Sequence, residues 1–209
     1  MPFSLAEYER KRPYLYHHTA RQNLQRLRHL LRLDCAAILL DAGGLSHLLK
    51  VKRRGPTEVQ VGRYRVQIRD QDPLYEGNMS LQGGWSFADL IHHLNQHVFF
   101  WSGTETGPVT YGQRHFGRYR DETPVFLRAT FAELLSLNPA AEPLFCKYNS
   151  GAPRCSKGKG SPRGPETFAT ASQTTFNLGS VVEVAFRNAV MLPATTQCAD
   201  KLNGRWSPL

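Results

Sequence analysis

The sequence predicts an α+β domain built on a mostly antiparallel sheet with flanking helices. Three observations predict it. Short apolar segments of strand character recur along the chain, and aromatic residues make up 11% of it. Only two stretches, 19–33 and 86–97, carry a strong helical pattern. Those helices do not alternate regularly with the strands, which argues against a doubly wound parallel sheet. The 209 residues are enough to bury a core without disulfide or metal staples, and one domain over 1–209 is the expected organisation.

The elements follow in chain order. Residues 5–12 (LAEYERKR) read as a short polar helix stopped by Pro13. Tyr14 to His18 reads as a strand. Thr19 and Gln22 form a capping-box pattern, so a helix is expected to start at Thr19. Leu24, Leu27, Leu30 and Leu31 give that helix an apolar stripe, and Arg21, Arg26, Arg28 and Arg32 a basic outer side. CAAILLDAGG is a short apolar piece closed by Gly43-Gly44, and Leu45 to Leu49 adds a turn. The alternation over 57–69 predicts two strands turning near Gly62. Ser86 and Asp89 cap a second helix, after which Val98 to Trp101 reads as a buried strand. Residues 103–123 read as irregular or as a short helix. Val125 to Thr130 reads as a strand, FAELLSL as a helical turn, and Leu144 to Tyr148 as a strand. Residues 149–170, rich in Gly and Pro, read as a long irregular loop of the kind that is usually functional or disordered. Val181 to Arg187 is the last strong strand. Alternation puts Val182, Val184 and Phe186 on one face and Glu183, Ala185 and Arg187 on the other.

The net charge is +9, and it is unevenly placed. Residues 1–70 carry 14 Lys/Arg against 6 Asp/Glu, the remainder 12 against 11. A one-sided positive field favours a polyanionic partner, with nucleic acid first, although a solubilising basic face has the same composition. No apolar run is long enough for a membrane span. The opening MPFSLAEYERKRPY lacks the apolar stretch of a secretory signal. Cys35, Cys146, Cys155 and Cys198 form no CxxC pair, so free thiols and a cytoplasmic location are expected. His93 and His97 share a helix face but lack the Glu of HExxH and a third ligand, and no metal is expected. GxSxG, GxxxxGK[ST] and GxGxxG are all missing, which counts against serine hydrolase, P-loop NTPase and Rossmann readings.

Glu183 is the sharpest single residue. A carboxylate between Val182 and Val184 is costly if buried and unpaired, so it either faces solvent or lines a cleft. His17 and His18 end the first strand, one expected inward and one outward. Either is a satisfied interior histidine or a donor to a ribose hydroxyl or phosphate. Phe99, Phe100 and Trp101 read as core, with one available to stack on a flat ligand.

These pieces, taken in order, resemble a family. Leu15-Tyr16-His17-His18-Thr19 followed by ARQNLQRLR resembles the opening of ADP-ribosyltransferase-fold proteins related to the DarT type. An uncharacterised bacterial branch of that group is the closer match. Its pattern reappears here as Ile68-Arg69-Asp70-Gln71, Val98 to Trp101, Asn149-Ser150-Gly151, Pro162-Arg163-Gly164 and Val181-Val182-Glu183. The likeness spans roughly 14–187.

The resemblance implies a split, strongly bent antiparallel sheet whose cleft grips NAD. It implies that His17 binds a ribose hydroxyl and that the backbone beside it holds the nicotinamide amide. Thr19 and Asn23 belong to the same NAD-binding set, Phe100 stacks near the nicotinamide, and Arg69 contacts the pyrophosphate. Glu183 is then the catalytic residue, hydrogen-bonding the 2′-hydroxyl of the nicotinamide ribose and stabilising the oxocarbenium-like state as nicotinamide leaves. The family's usual second-motif Tyr is Phe or Trp here, and the CSKGKGS loop departs from its pattern.

The implied function is mono-ADP-ribosylation of a macromolecule, with a DNA base as the expected acceptor. The cationic residues Arg154, Lys157, Lys159 and Arg163 would bring phosphates to the reactive centre. An antitoxin or a hydrolase reversing the mark is a compatible partner. The alternatives are an inactive nucleic-acid-binding module on the same fold and a protein-directed transferase. Val181, two residues before Glu183, removes the Q/E-x-E pair of arginine-modifying enzymes and counts against the last.

Overall fold

The computed structural model describes residues 3–119 and 123–209. The first third holds helix α1 (Leu5–Lys11), strand β1 (Tyr14–Ala20), α2 (Leu24–Leu30), β2 (Arg32–Asp34), α3 (Ala36–Ala42), β3 (Thr57–Val61) and β4 (Tyr64–Ile68). The middle holds β5 (Met79–Leu81), α4 (Phe87–Asn95), β6 (His97–Thr104), β7 (Gly107–Pro108), α5 (Thr110–Arg118), β8 (Pro124–Thr130) and α6 (Phe131–Leu137). The last third is mostly strand: β9 (Leu144–Cys146), β10 (Ser161–Arg163), β11 (Glu183–Arg187), β12 (Ala189–Met191), β13 (Gln197–Ala199) and β14 (Ser207–Pro208). The fold is α+β, as expected.

The main sheet runs β14-β13-β8-β1-β6-β11-β9, with β7 added to β6, and its pairings are antiparallel. One face packs on α1, α2 and α6 through Tyr8, Leu24, Leu27, Phe131 and Leu134, against Leu15, Phe100, Val184 and Phe186. The opposite face carries two smaller cores. Leu90, Ile91 and Leu94 of α4 cover Cys146 and Ala185, while Phe116 of α5 meets Tyr16, Trp101, Phe126 and Val182. A fourth core joins α3 to the β3–β4 hairpin through Leu40, Val59 and Val66.

Pairing between β1 and β6 covers only Tyr14↔Gly103, Leu15↔Ser102 and Tyr16↔Trp101. Beyond that point β1 stays on β8 through Ala20↔Pro124, and β6 stays on β11 through Arg187↔His97. The sheet is therefore split between two strands that remain fully paired on their outer sides.

Local chemistry explains several elements. Ser4 caps α1 by accepting from the Glu7 N–H, and Ser86 and Asp89 form a reciprocal capping box on α4. The hairpin turns at Gly62, whose φ of 57° a glycine adopts without strain.

Three expectations are corrected, and one alternative is decided. Thr19 does not start a helix: pairing to Val125 keeps it in β1, and a 3₁₀ turn at Arg21–Asn23 precedes α2. The basic side of α2 is interrupted, because Arg26 is buried against the Asp34 carboxylate, which also accepts from Arg32. Of the two readings of 103–123, the short helix holds: residues 110–118 form about two and a half turns. The 149–170 loop contains β10, paired in parallel with β5. Among the described residues no helix is long and apolar enough to cross a membrane.

Candidate functional site

The split opens into a cavity of about 270 Å³, near the low end of small-molecule sites at roughly 300–1,000 Å³. β1 contributes His17, His18 and Thr19, and β6 contributes Phe99 and Trp101. The hairpin, the end of α4 and the Asn149-Ser150-Gly151 turn complete its walls, and Glu183 faces it.

Glu183 reaches the cavity because it pairs with Trp101 on one side and Cys146 on the other, which puts all three on the face shared by α4 and α5. It sits where the two small cores part and is 3% exposed. The Ser150 N–H donates to Oε2 at 3.1 Å. Burial pushes the carboxyl up to about 7; the Ser150 hydroxyl and N–H, and then the Arg163 charge, pull it back. A raised pKa of this kind in a cleft marks a candidate functional group.

His17 fills the gap where β1 and β6 separate. Its Nδ1 lies 2.8 Å from the Phe99 carbonyl oxygen, which can only accept. The proton is thereby fixed on Nδ1, and Nε2 is left as an acceptor. Burial holds His17 down at about 4, so the ring is neutral at pH 7. His18 also lines the cavity, against the expectation that one of the pair points away. Arg69 donates to His18 Nδ1, and the His18 ring stacks on Phe126 at 5.2 Å. Burial and the Arg69 charge push the His18 pKa strongly down. The Arg69 guanidinium itself lies 3.4 Å from the Tyr119 ring centre. Arg69 is thus on the cavity wall, already engaged.

Asn23 and Thr19 line the cavity but face each other. Asn23 Nδ2 donates to Thr19 Oγ1 and to the Gln67 carbonyl, and Asn23 Oδ1 accepts from the Gln67 N–H. Together they fasten the hairpin to the split sheet. Phe100 is a correction. It pairs with Val184, is 1% exposed, and points into the core beneath α2 and α6. Phe99 and Trp101, one residue either side, line the cavity instead.

Arg163 is the second correction. It is 1% exposed and does not present a charge to solvent. Its guanidinium donates to the Asn149 carbonyl at 2.9 Å, Ser161 Oγ at 2.7 Å, the Pro162 carbonyl at 2.8 Å and the Ser150 carbonyl at 3.4 Å. It stacks on Tyr148 as well. Arg163 therefore shapes the Asn149–Gly151 turn that delivers the Ser150 N–H to Glu183. Arg154, Lys157 and Lys159 are exposed, the last two on a tight turn closed by the Ser156–Lys159 bridge. Arg154 borders a second cavity of about 380 Å³ with Tyr111, Arg114, Lys147 and Tyr148; it shares His115 and Asn149 with the first. His93 and His97 pack against Phe168, with His97 alone of the two on the cavity wall, and among the described residues no group of ligating side chains could hold a metal ion.

A family model covers residues 13–195: a family of unknown function, DUF7002. The chain belongs to that family. The matched span includes every residue described above in the split, the turn and the cavity. No curated protein and no solved structure matches the chain.

The sequence assigns no role to Ser150 or Arg53 at this site, and it offers His18 and Trp101 only as alternatives to His17 and Phe100. The Asn149-Ser150-Gly151 motif was the available signal for Ser150. Arg53 sits in a Lys52-Arg53-Arg54 run, where nothing local distinguishes a buried arginine from solvated neighbours.

Proposed function

We propose that the chain is an NAD-dependent mono-ADP-ribosyltransferase that modifies a nucleic acid, with a DNA base as acceptor. One observation carries this reading: a buried carboxylate, Glu183, faces a cleft in a split antiparallel sheet, with the His17 acceptor nitrogen in the gap of that split. The reading also rests on the ordered likeness to ADP-ribosyltransferase-fold proteins.

NAD supplies a glycosidic bond whose leaving group, nicotinamide, departs neutral with the bonding electron pair. The residues present suit that substrate. His17 Nε2 accepts from a ribose hydroxyl, and Phe99 or Trp101 takes the place expected for Phe100 beside the nicotinamide ring. The ionised Glu183 carboxylate accepts from the 2′-hydroxyl and stabilises the positive charge that develops on the ribose. A nitrogen or oxygen of the acceptor bonds to the anomeric carbon and loses its proton. The exposed Arg154, Lys157 and Lys159, and the second cavity that shares His115 and Asn149 with the first, favour a polyanionic acceptor.

The burial of Arg26 and Arg163 removes two cations from the surface that an inactive nucleic-acid-binding module would use. The test offers adenylate-labelled NAD with single-stranded DNA, duplex DNA, RNA and lysate protein in parallel. Label on nucleic acid, lost in Glu183→Ala, supports the reading. Label on protein alone moves the acceptor class, and salt-dependent binding of nucleic acid without label favours the inactive module.

A further inference from the structure

Arg53 is a buried arginine without a counter-ion. It is 8% exposed and lines the same cavity as Glu183, on a wall built by the end of α4 and the segment leaving β4. Its Nε donates to the Arg69 carbonyl at 3.1 Å and its Nη1 to Asn95 Oδ1 at 2.9 Å. Of the five guanidinium N–H donors, the remaining three meet no acceptor among the described residues. Nor does any carboxylate there approach within 4 Å; Asp70 acts on Arg53 only from farther away. The other arginines around the cavity differ. Arg26 holds Asp34, Arg69 holds His18 and Tyr119, and Arg163 is surrounded by oxygen acceptors.

The guanidinium is held in place. Gln71 Oε1 accepts from the Arg53 backbone N–H, Gln71 Nε2 donates to Asn95 Oδ1, and Asn95 Nδ2 donates to the Leu49 carbonyl. Desolvation lowers its pKa to about 10, which still leaves it charged at pH 7. A fixed, desolvated, unpaired cation is unfavourable until an anion meets it. The cavity thus presents a carboxylate on one wall and an unneutralised cation on another.

We propose that Arg53 is the anion seat of this cavity and grips the diphosphate of the dinucleotide, an assignment that rests on the transferase reading above. A guanidinium fork suits two neighbouring phosphate oxygens. The ligand that answers both walls is bipolar, with a hydroxyl-bearing cationic end at Glu183 and an anionic middle at Arg53. The Ile68-Arg69-Asp70-Gln71 segment then serves the site through the Arg69 carbonyl and Gln71, which aim Arg53.

The test is calorimetric titration of the full chain and of Arg53→Met and Arg53→Lys with ADP-ribose, inorganic pyrophosphate and nicotinamide riboside. Arg53→Met keeps the apolar stem and removes the charge. The expected result is a loss of at least about tenfold in ADP-ribose and pyrophosphate affinity, no change for the riboside, and partial recovery in Arg53→Lys. Equal losses for riboside and ADP-ribose would reveal a merely structural role and overturn the assignment. So would wild-type affinity for ADP-ribose in Arg53→Met. Should that variant not fold, the wild-type melting temperature decides: a rise with pyrophosphate that Arg53→Lys reduces upholds the seat, and no rise overturns it. Arg53-dependent pyrophosphate binding by a chain that neither binds NAD nor labels an acceptor would keep the seat and sink the transferase reading. NAD binding and transfer indifferent to Arg53 would do the reverse.

Discussion

Arg163 and Arg53 are both buried, at 1% and 8% exposure, Arg163 behind the Asn149–Gly151 turn and Arg53 on the cavity wall, but their surroundings differ. Arg163 sits among the carbonyls of Asn149, Ser150 and Pro162 and the Ser161 hydroxyl. It closes a turn and ends its role there. Arg53 has two acceptors and no anion. The difference teaches that burial alone does not separate a scaffold arginine from a binding one; the count of acceptors does. Glu183 adds a third case. A carboxyl can escape burial by taking up a proton, and its pKa of about 7 puts that escape near working pH. A guanidinium has no such escape there.

The sharpest way to break this contrast is at Glu183. Glu183→Gln keeps the shape and removes the charge, and transfer should fall about 10²–10³-fold, as when one transition-state contact is lost. Its melting temperature should not fall. Full activity in Glu183→Gln would end the proposed role of the carboxylate.

The next largest effect separates the two arginines by stability. Arg163→Met strands four acceptors in a buried turn and should cost about 2–4 kcal/mol. In a domain of this size each kcal/mol lowers the melting point by about 2–4 °C. Ligand-free Arg53→Met should lose far less, because it also removes an uncompensated charge. Equal losses in thermal melts would erase the distinction.

A pH series sharpens the acid side. Glu183 binds its proton more tightly in the folded state than in the unfolded one, from the ordinary 4.5 up to about 7. Its contribution to stability is therefore complete below pH 4.5 and declines as pH rises through 7. Wild type should lose on the order of 2–3 kcal/mol relative to Glu183→Gln across that window, read from paired denaturant titrations. Activity should rise through the same pH, since the ionised form acts. His17 runs the other way: its lowered pKa of about 4 means stability present above 6.5 and lost as pH falls towards 4. The comparison with Glu183→Gln cancels that common term.

The smallest effect is on the loop. Arg154→Gln with Lys159→Gln should change stability by less than about 0.5 kcal/mol. It should flatten the salt dependence of nucleic-acid binding by about one phosphate contact per residue removed, while leaving ADP-ribose binding unchanged. An unchanged salt slope would remove the loop from the acceptor path.

Much of the framework was legible because local chemistry decided it. The Gly62 turn, the Ser86–Asp89 cap and the strand flanking Glu183 all depend on neighbours within a few residues. Thr19 misled because its capping pattern competed with seven pairs to β8, and tertiary pairing won. The Phe100 assignment failed on register. Both faces of β6 are buried, so nothing in the run Val98 to Trp101 shows which residues face a cavity; the pairing Glu183↔Trp101 does. Arg163 and Arg53 were opaque for the same reason. Their burial arises from a turn and a hairpin brought together by distant contacts.

The most direct test of the central claim is transfer of label from adenylate-labelled NAD to single-stranded DNA by wild type and Glu183→Gln across pH 5 to 9. Labelled DNA is expected for wild type, rising through about pH 7, and none above background for the variant. Labelling that persists in Glu183→Gln, or wild-type labelling indifferent to pH, would contradict it.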